Sequence, residues 1–142
     1  MLKVVLDTNV YISALIRGGL PLDILLAAIK GDFKLFVSDS ILEELDGVFV
    51  QKLGWAPSRA KHALTTVQTY AELVFPKERL AVIQGDEDDN RILECAVAAE
   101  AHAIVTGDSD LLRLGAFRDI TMLSPREFWE ILRRRSGSHT DI

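Results

Sequence analysis

Short apolar runs that alternate with segments of helical periodicity constrain the fold of this chain more than any other feature. The first run, from Leu2 to Leu6, is valine-rich and only five residues long. A run of that kind favours a strand that is buried on both faces, and therefore a parallel one. Further strands are predicted at 34–37, 102–106 and 120–123, while 80–83 fits either a strand or a loop.

Helical segments separate these runs. They are predicted at about 22–29, 41–48, 58–73, 89–99 and 125–135, with Pro125 opening the last of them. Strands that alternate with helices imply right-handed crossover connections. The sequence therefore predicts a three-layer α/β/α domain with a central, mainly parallel sheet.

Length and composition indicate one domain. The 142 residues are 49% hydrophobic and 26% charged, which is the balance of a globular domain with a full core. We expect residues 1–135 to form this single domain and the polar residues 136–142 to form a flexible tail. No apolar run approaches the roughly 20 residues of a membrane-spanning helix, and no basic leader precedes Leu2. We therefore expect a soluble, cytoplasmic protein without a membrane partner.

Cysteine and histidine are too scarce for several kinds of site. Cys95 is the single cysteine, so the chain has no internal disulfide and no cysteine-based zinc site. The three histidines are scattered without ligand spacing, which argues against a histidine zinc site or a nucleophilic triad. A formal charge of −5 at first argues against a nucleic-acid partner, but five acids with a special placement account for all of it.

Acidic residues stand where the predicted apolar elements begin or end. Asp7 follows the first strand, and Asp108 follows the strand at 102–106. Sites in parallel sheets form beyond the carboxyl ends of the strands, so both acids fall at that edge. Carboxylates beside a core are costly to desolvate unless a cation gathers them. This placement indicates a divalent metal site.

Helical phase adds two further acids to this edge. Asp89 lies one turn before Ile92 and Leu93, on the face that packs inward. Glu44 lies three residues after Ile41 and stands beside the inward stripe of its helix. Both side chains are therefore expected near the edge that carries the acids after the strands.

Each acid also has an ordinary structural interpretation. Asp7 suits the start of an Asx turn, Asp89 suits a helix N-terminus, and Asp110 suits a turn. Residues 86–88 suit a solvated, capping loop, with direct contact to the metal as the alternative. The metal-site interpretation depends on the joint placement of acids from four separate segments at one sheet edge.

The motifs match a known family. The ordered segments LDTNV, SxxILEEL, DEDDNRILECAVAAEAHAIVTGD and SDLLRL resemble the PIN-domain ribonucleases, in particular the VapC-like toxins of bacterial and archaeal toxin–antitoxin pairs. The resemblance covers nearly the whole chain and implies a PIN-like fold. It implies an acidic quartet formed by Asp7, Glu44, Asp89 and Asp108, with Asp110 as a frequent fifth acid. It also implies that two small polar residues, Asn9 and Thr106, help hold the first and fourth of these acids.

The resemblance implies a function as well. We expect a Mg²⁺- or Mn²⁺-dependent endoribonuclease, a hydrolase in which a metal-activated water attacks the phosphodiester. The four quartet acids would be catalytic and, together with Asp110, would bind the metal. The implied partners are an RNA substrate, a small antitoxin protein and a second copy of the chain in a homodimer.

Three other functions compete with this one. A phosphatase of the haloacid-dehalogenase type needs a DxDxT pattern, but Asn9 replaces its second acid and Tyr11 follows. A non-catalytic PIN-like module that binds RNA or protein is expected to have lost part of the acidic set, which is intact here. A housekeeping RNA-processing nuclease would share the site and differ in lacking an antitoxin.

Overall fold

A six-stranded sheet forms the centre of the computed structural model, which describes residues 1–140 and the side chains of residues 1–135. The strands are β1 (Lys3–Leu6), β2 (Lys34–Val37), β3 (Ala71–Leu73), β4 (Ala103–Val105), β5 (Ala116–Phe117) and β6 (Ile120–Leu123). The α-helices are α1 (Thr8–Ile16), α2 (Gly19–Lys30), α3 (Asp39–Gly47), α4 (Pro57–Tyr70), α5 (Glu87–Ala99), α6 (Ser109–Leu114) and α7 (Pro125–Thr140).

The sheet is parallel except at one edge. Its strand order is β3-β2-β1-β4-β6-β5, and only β5 runs antiparallel to its neighbour. Val4, Val5 and Leu6 of β1 are all fully buried, which requires helices on both faces of the sheet. The predicted three-layer α/β/α fold with a mainly parallel sheet is confirmed.

The chain changes direction between β1 and β4. From β1 it winds outward through β2 and β3, and then returns to β4 on the other side of β1. The connections that leave the carboxyl ends of β1 and β4 therefore diverge and leave a crevice. The backbone N–H of Asp7 donates to the carbonyl of Val105 over 2.9 Å, which holds the two strand ends side by side.

Several short elements were not predicted from the sequence. The helix α1 follows Asp7 directly, and its residues Val10, Tyr11 and Ala14 are buried among largely apolar neighbours. Because this segment lacks a distinct polar face, it offers no clear 3.6-residue pattern. The strand β3 has three residues, the strand β5 two and the helix α6 six, which are too few for periodicity to reveal them.

The segment 80–83 contains no strand, so the strand interpretation of this run was wrong. Side chains of α5 supply the hydrogen-bond acceptors that a neighbouring strand would otherwise provide. The backbone N–H of Leu80 donates to Glu94, and those of Val82 and Ile83 donate to Asn90. Three of the four backbone N–H groups of 80–83 are thereby satisfied without a ladder.

The last helix is longer than predicted. Pro125 opens it as expected, but it continues through Thr140 instead of ending near 135. The predicted flexible tail covers residues 136–142. Its last two residues, 141 and 142, lie outside the described residues, and the flexibility of the tail stays a prediction. Among the described helices none is by itself long and apolar enough to cross a membrane; α1 and α2 reach that length only together, across a 105° bend.

Candidate active site

One hydroxyl group joins the acids that follow β1 and β4. The Thr106 hydroxyl donates to Asp7 Oδ2 over 2.7 Å, and the backbone N–H of Asp108 donates to the same hydroxyl oxygen over 2.9 Å. Thr106 is fully buried and Asp7 nearly so. Because Thr106 directly follows β4, the sheet itself sets the distance between the two acids.

Asp108 has a second local role as the N-cap of α6. Its Oδ1 accepts the backbone N–H groups of Asp110 at 2.8 Å and Leu111 at 3.1 Å. Such a cap satisfies N–H groups that have no partner within the helix. The cap uses Oδ1 and leaves Oδ2 available to neighbouring groups.

The remaining acids of the cluster come from the N-terminus of α5. Asp86 caps this helix, because its Oδ1 accepts the backbone N–H of Asp89 over 3.2 Å. One carboxylate oxygen each of Asp86, Asp89 and Asp108 lies within 4.8 Å of the other two. Asp89 is only 5% exposed, and within the described part of the chain its Oδ2 has no hydrogen-bond partner.

The electrostatics of the site follow from this crowding. Burial, followed by the charges of Asp108 and Asp86, raises the pKa of Asp89 well above its ordinary value. Burial also raises the pKa of Asp7, although the Thr106 hydroxyl opposes that shift. In both cases the ionised form is destabilised, so the site favours either a bound proton or a bound cation.

Glu44 belongs to the same electrostatic field. It lies in α3, a helix capped by the Ser38 hydroxyl, which accepts the backbone N–H of Ile41. Burial and the nearby charge of Asp88, together with weaker effects of Asp7 and Asp86, raise the pKa of Glu44 to about 7. The charges of Asp7, Asp86 and Asp88 thus act on Glu44, while the cluster within 4.8 Å among the described residues consists of Asp86, Asp89 and Asp108.

The donor set suits a hard divalent cation. Mg²⁺ and Mn²⁺ prefer carboxylate oxygens over nitrogen or sulfur ligands. Asp89 has a buried carboxylate oxygen without a hydrogen-bond donor, and its carboxylate lies close to two others; an ion of this kind would satisfy such a group. The residues present therefore fit a bound metal ion.

Residues 3–110, about three quarters of the chain, match the PIN domain family. The chain belongs to this family. It is 35% identical over 118 residues to the uncharacterized protein MJ1680 of Methanocaldococcus jannaschii, an alignment that covers 80% of this chain and 75% of that protein. The resemblance to PIN-domain proteins drawn from the sequence motifs is confirmed.

Solved structures share the fold of this PIN domain. One is a crystal structure of VapBC2 from Rickettsia felis bound to a DNA fragment from their promoter, with a TM-score of 0.62 and 18% identity, covering 87% of this chain and 98% of that chain. Another is VapBC-1 from nontypeable Haemophilus influenzae, with a TM-score of 0.63 and 16% identity, covering 88% of this chain and 99% of that chain. At these identities the similarity establishes the architecture.

Two predicted site residues of the PIN domain are placed less centrally. The carboxylate of Asp110 pairs with Arg113 at 3.1 Å and is about half exposed; like Asp7 and Glu44, it lies outside the 4.8 Å cluster. The Asn9 side chain is exposed and makes no hydrogen bond within the described residues; only its backbone N–H contacts Asp7 Oδ1, at 3.3 Å. The metal role of Asp110 and the supporting role of the Asn9 side chain stay predictions.

Sequence reasoning missed the residues that support the α5 side of the site. Asn90 is 4% exposed, and its Oδ1 accepts the backbone N–H groups of Val82 and Ile83, both at 2.9 Å. Its Nδ2 donates to the carbonyls of Ile83 at 2.8 Å and Asp86 at 3.1 Å. One side chain thus binds the segment that carries Asp86 at several points.

Arg91 and Glu94 bind the other end of this segment. Glu94 Oε2 accepts the Leu80 N–H at 2.7 Å, and Arg91 Nη2 donates to the Leu80 carbonyl at 3.0 Å. The two side chains also pair with each other at 2.8 Å. The sequence did contain a signal, since the polar residues Asn90 and Glu94 stand four apart on a helix whose buried residues also include Ile92 and Leu93.

Proposed function

We propose that this PIN domain is a metal-dependent endoribonuclease that hydrolyses phosphodiester bonds of RNA with Mg²⁺ or Mn²⁺. The observation that carries the proposal is the cluster of the Asp86, Asp89 and Asp108 carboxylates, together with a buried Oδ2 of Asp89 that has no hydrogen-bond partner among the described residues. A protein that only needed stability would not be expected to crowd ionisable groups whose charged forms destabilise one another. Membership of the PIN family supports the same reaction class.

The proposed roles follow the placement of each acid. Asp7 and Asp89 are the principal metal ligands, and Glu44 and Asp108 complete the site directly or through water. Thr106 holds Asp7 and Asp108 at a fixed separation. A bound divalent cation supplies a lowered pKa for the attacking water and charge stabilisation for the leaving oxygen. Asp110 stands at the rim, beside Arg113.

A cleavage assay tests this proposal. The wild-type chain is incubated with a pool of transfer RNA, ribosomal RNA and synthetic single strands in Mg²⁺, Mn²⁺ or chelator. We expect metal-dependent cutting of RNA, and we expect Asp89→Asn to reduce its rate at least about 100-fold. A bound metal ion stabilises the transition state by several kcal/mol, and this variant loses a ligand of that ion. Circular dichroism should show that this variant stays folded, because the change relieves repulsion between acids.

Glu87→Gln is the matched control for that assay. Glu87 lies in the same helical turn, but its side chain is 85% exposed and only long ion pairs of 3.8 and 3.9 Å hold it. Its replacement should leave cleavage within about twofold of the wild type, as is usual for exposed pairs. Equal cutting by wild type and Asp89→Asn would contradict the site assignment. A folded wild type that binds metal and cuts no RNA would favour the non-catalytic binding module.

We further propose that the chain is the toxin of a toxin–antitoxin pair, acting in the cytoplasm as a homodimer. The shared fold with chains of VapBC complexes supports the pairing. An apolar groove of 260 Å³ between α2 and α4, lined in part by Leu25, Trp55 and the exposed Tyr70, offers a surface that an antitoxin segment can cover.

Growth measurements distinguish the toxin from a housekeeping nuclease. Expression of the wild type alone in a bacterial host should arrest growth, and Asp89→Asn should abolish the arrest. If a small protein is encoded beside this gene, its co-expression should restore growth and give a stable complex. Unhindered growth of cells that contain active nuclease would favour the housekeeping role. Light scattering of the purified chain checks the homodimer.

A further inference from the structure

The segment 80–86 takes its position from α5 instead of from the sheet. No strand forms at 80–83, and the chain there binds to side chains that project from one helix. Asn90 is central to this arrangement, because a side-chain amide offers two lone pairs and two N–H donors and Asn90 uses all four. Every one of these bonds goes to the backbone of residues 82–86.

The fourth of these bonds ends on Asp86 itself. The Nδ2 of Asn90 donates to the Asp86 carbonyl over 3.1 Å, and to the Ile83 carbonyl over 2.8 Å. Between those two carbonyls the chain turns at Gly85, whose φ of 81° lies in the left-handed region that glycine adopts without strain. The amide and the turn together fix where the Asp86 main chain lies above the helix N-terminus.

These backbone contacts hold Asp86 close to Asp89. One of its carboxylate oxygens lies within 4.8 Å of oxygens of both Asp89 and Asp108. Asp89 is 5% exposed, and its Oδ2 has no partner among the described residues, which indicates that a ligand completes this cluster. Repulsion would drive Asp86 away from these charges if its backbone were not fastened.

We infer that Asp86 is an additional metal-binding acid and that Asn90 is the positioning residue that holds it in the metal site. The inference rests on the proposed metal-dependent function. Asn90 touches neither the ion nor the substrate in this account; it acts through the backbone of residues 83–86. The helix cap made by Asp86 is compatible with this role, because the cap uses Oδ1 only.

The conservative change Asp86→Asn separates metal binding from capping. Asparagine caps helices about as well as aspartate, so the variant should keep the stability of α5. It loses the negative charge and one ligand oxygen of the cluster. Asn90→Ala removes the four backbone contacts and leaves the Asp86 carboxylate in the chain.

Calorimetric titration of the metal-stripped, full-length chain with Mn²⁺ tests the inference. We expect Asp86→Asn and Asn90→Ala each to weaken Mn²⁺ binding about tenfold, the usual loss when a group that orients a ligand is removed. The double variant should bind about as weakly as Asp86→Asn alone, since Asn90 acts through Asp86. Glu87→Gln should bind like the wild type. Glu94→Gln, which loosens the Leu80 end of the segment, should lower stability without changing the Mn²⁺ affinity.

Specific outcomes would overturn the inference. Unchanged Mn²⁺ affinity in Asp86→Asn removes Asp86 from the site, and an additive loss of about 100-fold in the double variant shows that Asn90 acts independently of Asp86. If Asn90→Ala does not fold, Gly85→Ala replaces it. That change meets no atom within 4 Å but strains the left-handed turn, and it should likewise be non-additive with Asp86→Asn.

The same titration keeps the inference apart from the proposed function. A wild-type chain that binds no Mn²⁺ overturns the metal-dependent nuclease and the inference with it. A wild type that binds Mn²⁺ and cuts RNA, beside an Asp86→Asn variant of equal affinity, overturns only the role of Asp86 and Asn90.

Discussion

The candidate site has two halves that are held in different ways. On the sheet side, Asp7 and Asp108 follow adjacent parallel strands, and Thr106 joins them through one hydroxyl group. On the α5 side, Asp89 lies on a helix, and Asp86 lies on an irregular segment fastened by Asn90. The first half takes its geometry from the register of a buried sheet, and the second from a few side-chain contacts.

Because the two halves are held differently, substitutions in them should have different effects on the fold. A parallel ladder is cooperative, so the carboxyl ends of β1 and β4 move only if the core opens. The segment 80–86 depends on individual hydrogen bonds from α5 that single substitutions remove. We therefore expect mutations on the sheet side to affect stability and activity together, whereas those on the α5 side affect metal affinity more selectively.

Thr106→Val should have the largest effect on the sheet half. It keeps the shape of the side chain but removes the donor to Asp7 and leaves the Asp108 N–H without its acceptor. A buried polar group without a partner costs about 1–3 kcal/mol, so we expect a loss of about 2 kcal/mol in the free energy of unfolding. Cleavage should fall at least about tenfold, because about 1.4 kcal/mol lost from the transition state has that effect.

Urea unfolding and the RNA cleavage assay check this prediction. Thr106→Ser is the control, since it retains the hydroxyl and should recover most of both quantities. If valine at this position proved as stable and active as threonine, the hydroxyl bridge would have no importance, and the proposed division between the two halves would fail.

An intermediate effect is expected from pH, which changes the charge of the α5 half at Asp89 and of Glu44 on the neighbouring helix α3. Burial and neighbouring acids raise the pKa of Glu44 to about 7 and that of Asp89 well above the ordinary value of an aspartate. Between about pH 4 and about pH 8 the folded state therefore binds more protons than the unfolded state. The stability of the metal-free protein consequently falls as the pH rises through this range.

Thermal melts in chelator at several pH values measure this dependence. Asp89→Asn should flatten the curve, since it removes one of the responsible groups and relieves its neighbours. Saturating Mn²⁺ should reverse the trend, because ion binding requires deprotonated acids and stabilises only the folded chain. A metal-free stability that increases from pH 5 to pH 8 would contradict the crowded acidic cluster.

Asp110→Asn should have the smallest effect, because Asp110 belongs to neither half as the structure shows them. Its carboxylate is about half exposed and pairs with Arg113, an exposed ion pair of the kind worth about 0–1 kcal/mol. We expect cleavage within about threefold of the wild type. A loss comparable to that of Asp89→Asn in the same assay would instead place Asp110 among the metal ligands, as the sequence first indicated.

The sequence predicted one half of the site far better than the other. Asp7 was predicted at the site because it directly follows β1, and Asp108 because it lies three residues after β4; the end of a strand fixes the edge of the sheet at which a residue lies. Asp89 and Glu44 were predicted by helical phase, and the roles of all four acids stay predictions. Asp86 was interpreted as part of a solvated capping loop; it does cap α5, but it also lies within the acidic cluster.

The sequence by itself determined the layered α/β fold and the edge at which the acids gather. Periodicity and position after a strand are local properties, and they are sufficient for that conclusion. Only the tertiary structure decided that 80–83 forms no strand, that Asn90 holds Asp86 beside Asp89, and that Asp110 pairs with Arg113. These outcomes depend on hydrogen-bond directions and on competition between neighbouring groups for the same partner, which are settled only when the segments are packed together.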